Sequence, residues 1–177
     1  MVGERPEVLD VVVLVGMMGS GKSTVGQILG RRLGVQCCDT DDRVQRNAGS
    51  TIAQLFAIHG EEAFREEESI ALRQCLEGCG VVATGGGIVL REANRVLLGH
   101  TGIRVAWLDA QPDDLAGRLD GVVDRPLLGE DPQAALAALD HQRRPLYAQV
   151  ASIRVDTTNK SPDAVCDELE AWVRSWG

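Results

Sequence analysis

Residues 16–23 carry the clearest chemical signal in the chain, in the order Gly-Met-Met-Gly-Ser-Gly-Lys-Ser. The spacing matches G-x-x-x-x-G-K-[ST], a phosphate-binding loop that joins a strand to a helix. Its glycines let backbone N–H groups face phosphate oxygens, and the following helix points its positive dipole end at the same place. We expect Lys22 to reach the β- and γ-phosphates from a solvated position, and the Ser23 hydroxyl to bind Mg²⁺. The alternative is a glycine-rich turn without a ligand.

Two carboxylates follow the second predicted strand, at Asp39 and Asp41. In open α/β sheets, ligands bind beyond the carboxyl ends of the strands, so both side chains should lie near the phosphate loop. Asp39 could hold Mg²⁺ directly or through a water, and Asp41 could bind a substrate hydroxyl and orient or deprotonate it. The same pattern also fits a helix N-cap or an Asx turn, and the sequence does not decide between these readings.

Three successive glycines, Gly85 to Gly87, follow the third predicted strand. Without side chains, this segment allows a ligand or another backbone to come close, although a flexible turn would look the same.

Several arginines could neutralise anionic groups. Arg125 lies in the segment 120–131, DGVVDRPLLGED, which we interpret as an exposed loop and a mobile lid. A kinase needs positive charge on the transferring phosphoryl group and must exclude water; the alternative is a surface arginine paired with Asp124. Arg65 could bind a carboxylate while Glu68, three residues later, holds its orientation, or the two could form an exposed helical ion pair. Near Pro145, the residues alone do not choose between Arg143 and Arg144.

The elements that must position these residues alternate between strands and helices. Apolar runs predict buried strands, and the segments between them have helical spacing. Thr51 with Gln54 predicts a capping box, and Pro112, Pro132 and Pro162 fit first-turn positions. The alternation predicts a three-layer α/β/α fold with a parallel sheet. The predicted strands are Val11–Val15, Val35–Cys38, Val81–Thr84, Ile103–Leu108 and Ser152–Val155.

Composition excludes several classes of protein. The 177 residues are 44% hydrophobic and 25% charged, which predicts a single domain over residues 1–177. A net charge of −8 argues against nucleic-acid partners and anionic membranes. Five cysteines without paired spacing predict buried thiols rather than a disulfide framework. With no signal peptide and no membrane-spanning run, we expect a cytoplasmic protein.

Taken together, these residues resemble the shikimate kinase family. The resemblance covers Val11 to about Trp172, and its motifs occur in the family's order. They are GMMGSGKST at Gly16–Thr24, DTD at Asp39–Asp41, FR-x-x-E at Phe64–Glu68, GGG at Gly85–Gly87, RPLL at Arg125–Leu128, RRPLY at Arg143–Tyr147 and VDT at Val155–Thr157. The resemblance implies a five-stranded parallel sheet of order 2-3-1-4-5. It also implies transfer of the γ-phosphoryl group of ATP to the 3-hydroxyl of shikimate, giving ADP and shikimate 3-phosphate, by a monomer that uses Mg²⁺.

The resemblance also implies residue roles. Lys22 and Arg125 contact the transferring phosphates, Ser23 and Asp39 hold Mg²⁺, and Asp41 binds shikimate hydroxyls as the favoured base. Arg65 and Arg143 bind the shikimate carboxylate, and the Gly86 backbone lines the same pocket. Arg143 rather than Arg144 is the match, because the family arginine stands two residues before the proline. The residues expected to bind ATP are Gly19, Ser20, Gly21, Lys22, Ser23, Thr24, Arg118, Arg125 and Pro162, with Arg118 and Pro162 beside the adenine.

Two other functions remain open. A related small-molecule kinase, such as a gluconate kinase, would share the phosphate loop and the topology. A non-catalytic nucleotide-binding domain would bind ATP without turnover, although Lys22, Asp39, Asp41 and Arg125 are all present.

Overall fold

The strands form one parallel sheet within residues 10–119 and 131–176, which are the residues that this computed structural model describes. Their spatial order is β2-β3-β1-β4-β5, which confirms the predicted order. The observed bounds differ from the predicted ones only at strand ends. The strands are β1 (Val11–Val15), β2 (Cys37–Asp39), β3 (Val81–Ala83), β4 (Ile103–Asp109) and β5 (Ile153–Asp156).

The described helices connect these strands and cover both faces of the sheet. A short 3₁₀ helix over Ile88–Leu90 follows β3. The α-helices are α1 (Lys22–Leu33), α2 (Thr40–Ala48), α3 (Ile52–Gly78), α4 (Glu92–Leu98), α5 (Pro112–Leu119), α6 (Pro132–Val150) and α7 (Pro162–Arg174).

Burial on both faces explains why the central strands are continuous apolar runs. In β1, Val12 and Leu14 pack into the core under α1 and α7, whereas Val13 and Val15 pack into the core under α3 and α6. All four are essentially inaccessible to water. Each such side chain contributes about 1.5–3 kcal/mol of burial free energy, so the strand that precedes the phosphate loop is firmly anchored.

Polar caps start the helices where the sequence predicts them. The Thr51 side chain accepts from the backbone N–H of Gln54, and the Gln54 side chain accepts from the N–H of Thr51, which confirms the capping box. The Ser161 hydroxyl caps α7 by accepting from the Ala164 N–H. Helix α2 had no strong pattern in the sequence, and the Asp39 carboxylate caps it by accepting from the Asp41 N–H at 2.9 Å.

Helix α3 contains a break at Gly60, where φ is 80° and ψ is 177°. This conformation is open essentially to glycine alone. The break divides α3 into an N-terminal part and a C-terminal part that carries Arg65 and Glu68, and side chains of both parts form a cluster with Val44 of α2.

The prediction of buried thiols is confirmed for Cys75 and Cys166 but is wrong for Cys38 and Cys79. Cys38 and Cys79 form a disulfide, with Cα atoms 6.0 Å apart, whereas Cys37, Cys75 and Cys166 are free. The paired cysteines are 41 residues apart in sequence and lie beside the adjacent strands β2 and β3. Sequence spacing does not reveal a pairing that depends on which strands become neighbours.

Two predictions concern residues that lie wholly or mainly outside the described ranges. The segment 120–131, interpreted as a lid, is described only at Asp131, and Arg125 falls among the residues that are not described.

Among the described helices, none is long and apolar enough to cross a membrane.

Candidate active site

Backbone geometry builds the phosphate loop between β1 and α1. Gly16, Gly19 and Gly21 all have positive φ, at 146°, 79° and 91°. A Cβ on Gly16 would lie 2.3 Å from the carbonyl oxygen of Leu108 in β4. This position therefore requires glycine both for its conformation and for its close contact with the neighbouring strand.

Lys22 lies inside this loop. Its ammonium donates to the carbonyl oxygens of Gly16, at 2.9 Å, and Met17, at 2.7 Å, and to the Ser20 hydroxyl at 3.3 Å. The residue is only 7% exposed, so the expectation of a solvated lysine is wrong. The carbonyl oxygens of the loop therefore hold the ammonium.

Ser23 and Asp39 meet beside the loop. The Ser23 hydroxyl donates to Oδ2 of Asp39 at 2.5 Å, while Oδ1 of Asp39 accepts from the Asp41 N–H. The carboxylate thus caps α2 and contacts the phosphate loop at the same time. The two roles that the sequence left as alternatives for Asp39, a helix cap and a group at the site, are compatible.

The first glycine after β3 has two carboxylates against it. A Cβ on Gly85 would lie 2.6 Å from Oδ1 of Asp41 and 2.5 Å from Oε1 of Glu68. The Gly85 N–H donates to the hydroxyl of Thr40, which is fully buried. Glycine at this position therefore leaves room for the carboxylates of α2 and α3.

The other two glycines contact different groups. A Cβ on Gly86 would lie 3.3 Å from the backbone nitrogen of Met18 and 3.4 Å from Nη1 of Arg143. A Cβ on Gly87 would lie 2.0 Å from Nη1 of Arg65. One short loop thus touches Arg65, Arg143, Asp41 and the phosphate loop.

Arg65 is held in a buried ion pair on α3. Its Nη1 donates to Glu68 at 2.9 Å, and its Nη2 donates to Glu61 at 3.0 Å. Arg65 is 5% and Glu68 1% exposed, so the alternative of an exposed helical pair is wrong. Burial raises the pKa of Glu68, while the charge of Arg65 opposes that rise. Within residues 10–119 and 131–176, the buried Nε of Arg65 and Oε1 of Glu68 have no hydrogen-bond partner.

Arg143 and Arg144 face different surroundings. Arg143 is 2% exposed beside Gly86, and its Nε has no hydrogen-bond partner in the part of the chain that the structure describes. Arg144 instead donates to Asp109 and Asp140. One turn further along α6, the buried Tyr147 donates its hydroxyl to the Gly86 carbonyl oxygen, and burial raises the pKa of Tyr147.

A cavity of about 230 Å³ opens between the phosphate loop and Gly85–Gly87, which we call the glycine loop. Its described lining contains many of the predicted site residues, but not Ser20, Asp39, Arg65, Arg143 or Pro162. Pro162 is exposed at the start of α7. The lining residues are Met18, Gly19, Gly21, Lys22, Ser23, Thr24, Asp41, Thr84, Gly85, Gly86 and Arg118.

Arg118, at the end of α5, is fixed by the residue that follows β5. Its guanidinium donates to the Thr157 hydroxyl at 3.2 Å and to the Thr157 carbonyl oxygen at 2.8 Å. It also lies 3.4 Å from the Gly19 carbonyl oxygen. Thr157 is in turn anchored to the carbonyl oxygen of Asp109 by both its N–H and its hydroxyl.

Sequence reasoning missed the parts that Thr40 and Thr157 play, and it gave Glu68 only the task of orienting Arg65. The motifs contain all three residues, so a signal was present. What the motifs do not tell is that Thr40 holds the glycine loop, that Thr157 holds Arg118, and that Glu68 also lies against Gly85.

Comparisons with known proteins agree with this geometry. The shikimate kinase family model matches residues 18–174. A shikimate kinase of Symbiobacterium thermophilum is 48% identical over 162 residues, which cover 89% of this chain and 92% of the relative. The solved shikimate kinase of Acinetobacter baumannii, in complex with shikimate, has a TM-score of 0.90 and 33% identity, covering 96% of this chain and 95% of that one. A gluconokinase of Sinorhizobium meliloti shares the fold, with a TM-score of 0.65 and 17% identity, covering 96% of this chain and 94% of that one.

Proposed function

This chain belongs to the shikimate kinase family, and we propose that the cavity between the phosphate loop and the glycine loop is its active site. Its activity is the ATP-dependent phosphorylation of the 3-hydroxyl of shikimate, which gives shikimate 3-phosphate and ADP and serves aromatic amino acid biosynthesis. One observation carries the assignment of the site. Asp41, Arg65 and Arg143 come from three helices, and all three lie against Gly85–Gly87 beside the loop of Lys22.

The nucleotide occupies the phosphate-loop side of the cavity. Backbone N–H groups of residues 19–24 bind the phosphates, and Lys22 exchanges its bonds to carbonyl oxygens for bonds to the β- and γ-phosphates. Arg118 lies along the adenine, with Pro162 at the start of α7 on the other side. Arg125 supplies further charge to the transferring group, as proposed from the sequence alone.

Ser23 and Asp39 fit a magnesium ion. Hydroxyl and carboxylate oxygens are the ligands that Mg²⁺ takes in nucleotide sites, and here they meet at 2.5 Å. When bound with ATP, Mg²⁺ neutralises charge on the phosphates. Asp39 keeps a fixed orientation in either state, because its second oxygen is bonded to the Asp41 N–H.

Shikimate binds at the glycine loop, with its carboxylate against Arg65 and Arg143. The guanidinium groups of Arg65 and Arg143, beside Gly87 and Gly86, are suited to bind a carboxylate through charge-assisted hydrogen bonds. Asp41 lies on the opposite side, against Gly85, where it binds ring hydroxyls. Asp41 orients the attacking hydroxyl and can accept its proton. Because phosphoryl transfer has a loose transition state, orientation contributes at least as much as proton removal.

A substrate panel tests this proposal. The purified chain is incubated with ATP and Mg²⁺ and with shikimate, gluconate or a nucleoside monophosphate, while ADP release is followed and the phosphorylated product is identified by mass spectrometry. We expect release only with shikimate. Turnover of gluconate would support the kinase that shares only the fold. ATP binding without any acceptor-dependent release would support a non-catalytic domain.

We also propose that the chain acts as a monomer, as the family resemblance implies. Its net charge of −8 argues against a nucleic-acid partner. Light scattering coupled to size-exclusion chromatography would give a mass near 19.0 kDa for a monomer. A mass twice as large would contradict this. Cytoplasmic location remains a prediction from the sequence.

A further inference from the structure

Arg144 makes a dense set of contacts immediately beside Arg143. Its two terminal nitrogens donate to the two carboxylate oxygens of Asp109, at 3.1 and 2.9 Å. Its Nε donates to Asp140, one turn earlier on α6, at 2.9 Å. The guanidinium also lies 5.2 Å from the ring centre of Trp107 in β4. Arg144 therefore ties α6 to the carboxyl end of β4, where Asp109 is 4% exposed.

The helix itself is weakest at this point. Pro145 lies inside α6 and has no N–H, so the turn that carries Arg143 and Arg144 lacks the hydrogen bond to the carbonyl oxygen of His141. A proline ring inside a helix also pushes against the preceding turn. The orientation of this turn relative to the sheet therefore depends on side-chain contacts more than it would in an uninterrupted helix.

We propose that Arg144 is a positioning residue for the shikimate pocket. By holding α6 to Asp109, it fixes the turn whose other arginine, Arg143, lies beside Gly86. This inference rests on the proposed function, because it gives Arg144 a purpose only if Arg143 binds the substrate carboxylate. Arg144 does not touch the substrate, and its effect on the reaction passes entirely through Arg143.

The chain contains a matched control for this contact. Arg154 in β5 donates to the same Asp109 carboxylate through Nε at 2.9 Å and lies 4.9 Å from the ring centre of Trp107. Its side chain is 56% exposed, and it is not part of α6. Removing either arginine leaves Asp109 paired with the other one. The two substitutions thus remove similar charge and similar contacts, but only one releases the turn that carries Arg143.

The experiment compares Arg144→Ala with Arg154→Ala and with Asp140→Asn, which breaks the ion pair within α6 but keeps the bond to Asp109. Steady-state KM is measured for shikimate and for ATP, with kcat and the melting temperature. For Arg144→Ala we expect the shikimate KM to rise about tenfold, because misplacement of a substrate-binding group weakens binding. The ATP KM should stay within about twofold, as should both KM values in the two controls. Arg144→Lys should recover part of the loss, since a single amine can still reach Asp109.

Arg143→Ala, measured in the same assay, separates failure of this inference from failure of the proposed function. If Arg143→Ala leaves the shikimate KM unchanged, the carboxylate role of Arg143 is wrong. If Arg143→Ala raises that KM but Arg144→Ala does not, Arg144 has no positioning role. Equal rises with Arg144→Ala and Arg154→Ala would also overturn the inference, because they would indicate a general effect of the Asp109 ion pairs. A fall in melting temperature alone, with normal KM values, would make Arg144 a stabilising contact only.

Discussion

The proposed active site has a nucleotide end at the phosphate loop and a shikimate end at the glycine loop, and the chain builds these two ends by different means. At the nucleotide end, one continuous segment, residues 16–24, supplies the binding groups, and backbone conformation sets most of their positions. At the shikimate end, the side chains come from α2, α3 and α6. Thr40 of α2 and Tyr147 of α6 hold these helices to the distant glycine loop, whereas Arg65 is oriented within α3 by Glu68. The nucleotide end should therefore tolerate surface change well, whereas the shikimate end depends on how the helices pack.

The charges at the two ends are also compensated differently. Lys22 is satisfied by neutral carbonyl oxygens, which a phosphate can replace without leaving a buried charge behind. Arg65 is paired with the buried Glu68, a charged group of the protein itself. Loss of Lys22 removes a bond to the transferring group, while loss of Arg65 also leaves an unpaired carboxylate in the core.

The largest expected effect comes from Lys22→Ala. We expect kcat to fall by about 10³-fold or more, because a charge on the transferring phosphoryl group is lost. The melting temperature should also fall, since Lys22 holds two carbonyl oxygens of the loop. Steady-state kinetics and thermal melts measure both. The matched control is Lys160→Ala, which removes an exposed lysine paired with Glu168 and should change neither. An unchanged kcat would contradict the proposed contact between Lys22 and the transferring phosphoryl group.

Arg65→Ala should give the next largest effect, confined to the shikimate end. We expect the shikimate KM to rise about 100-fold while the ATP KM changes little, because a charge-assisted pair to the carboxylate is lost. Arg91→Ala is the control, because Arg91 pairs with Glu62 and Glu66 on the surface of α3, the helix that carries Arg65. Equal rises in both KM values would mean that the two ends do not act separately.

Gly60→Ala tests whether the break in α3 sets the position of Arg65. Among the described residues, nothing beyond the adjacent backbone lies within 4 Å of the added Cβ, so the cost is confined to the backbone conformation. We expect a loss of about 1–3 kcal/mol in the free energy of unfolding, measured with urea, and a severalfold rise in the shikimate KM. Gly78→Ala, in the same helix and equally free of contacts, should instead stabilise by about 0.5–1 kcal/mol. Similar results from both variants would contradict the role of the break.

The smallest expected effect is a change in pH dependence. The pKa of Glu68 is raised by burial above its ordinary value of 4.5, and Arg65 opposes that rise. Without Arg65 the pKa in the folded state rises further, so the folded protein binds a proton more tightly than the unfolded chain, and stability falls as pH rises above 4.5. Arg65→Ala should therefore lose more stability at pH 7.5 than at pH 4.5. Melting temperatures across this range would detect it, and a loss independent of pH would contradict it.

The same contrast explains how much the sequence could predict. The phosphate loop is local, so residues 16–23 predicted both its structure and its chemistry. The strand order followed from the family resemblance and is confirmed. The solvated lysine and the unpaired Cys38 and Cys79 were wrong, because both depend on contacts formed only in the folded chain. The residues alone did not separate Arg143 from Arg144; the family resemblance chose Arg143, which lies beside Gly86, whereas Arg144 pairs with Asp109.

The three glycines after β3 have a consequence for the evolution of this site. Each one faces a different group: carboxylates at Gly85, the phosphate loop and Arg143 at Gly86, and a guanidinium at Gly87. A single methyl group would collide with carboxylates at Gly85 and with a guanidinium at Gly87, whereas at Gly86 it would crowd Met18 and Arg143 by only a few tenths of an ångström. A change elsewhere in the chain that makes room for a side chain at one of these positions would not make room at the other two. Selection should therefore act on the three positions independently.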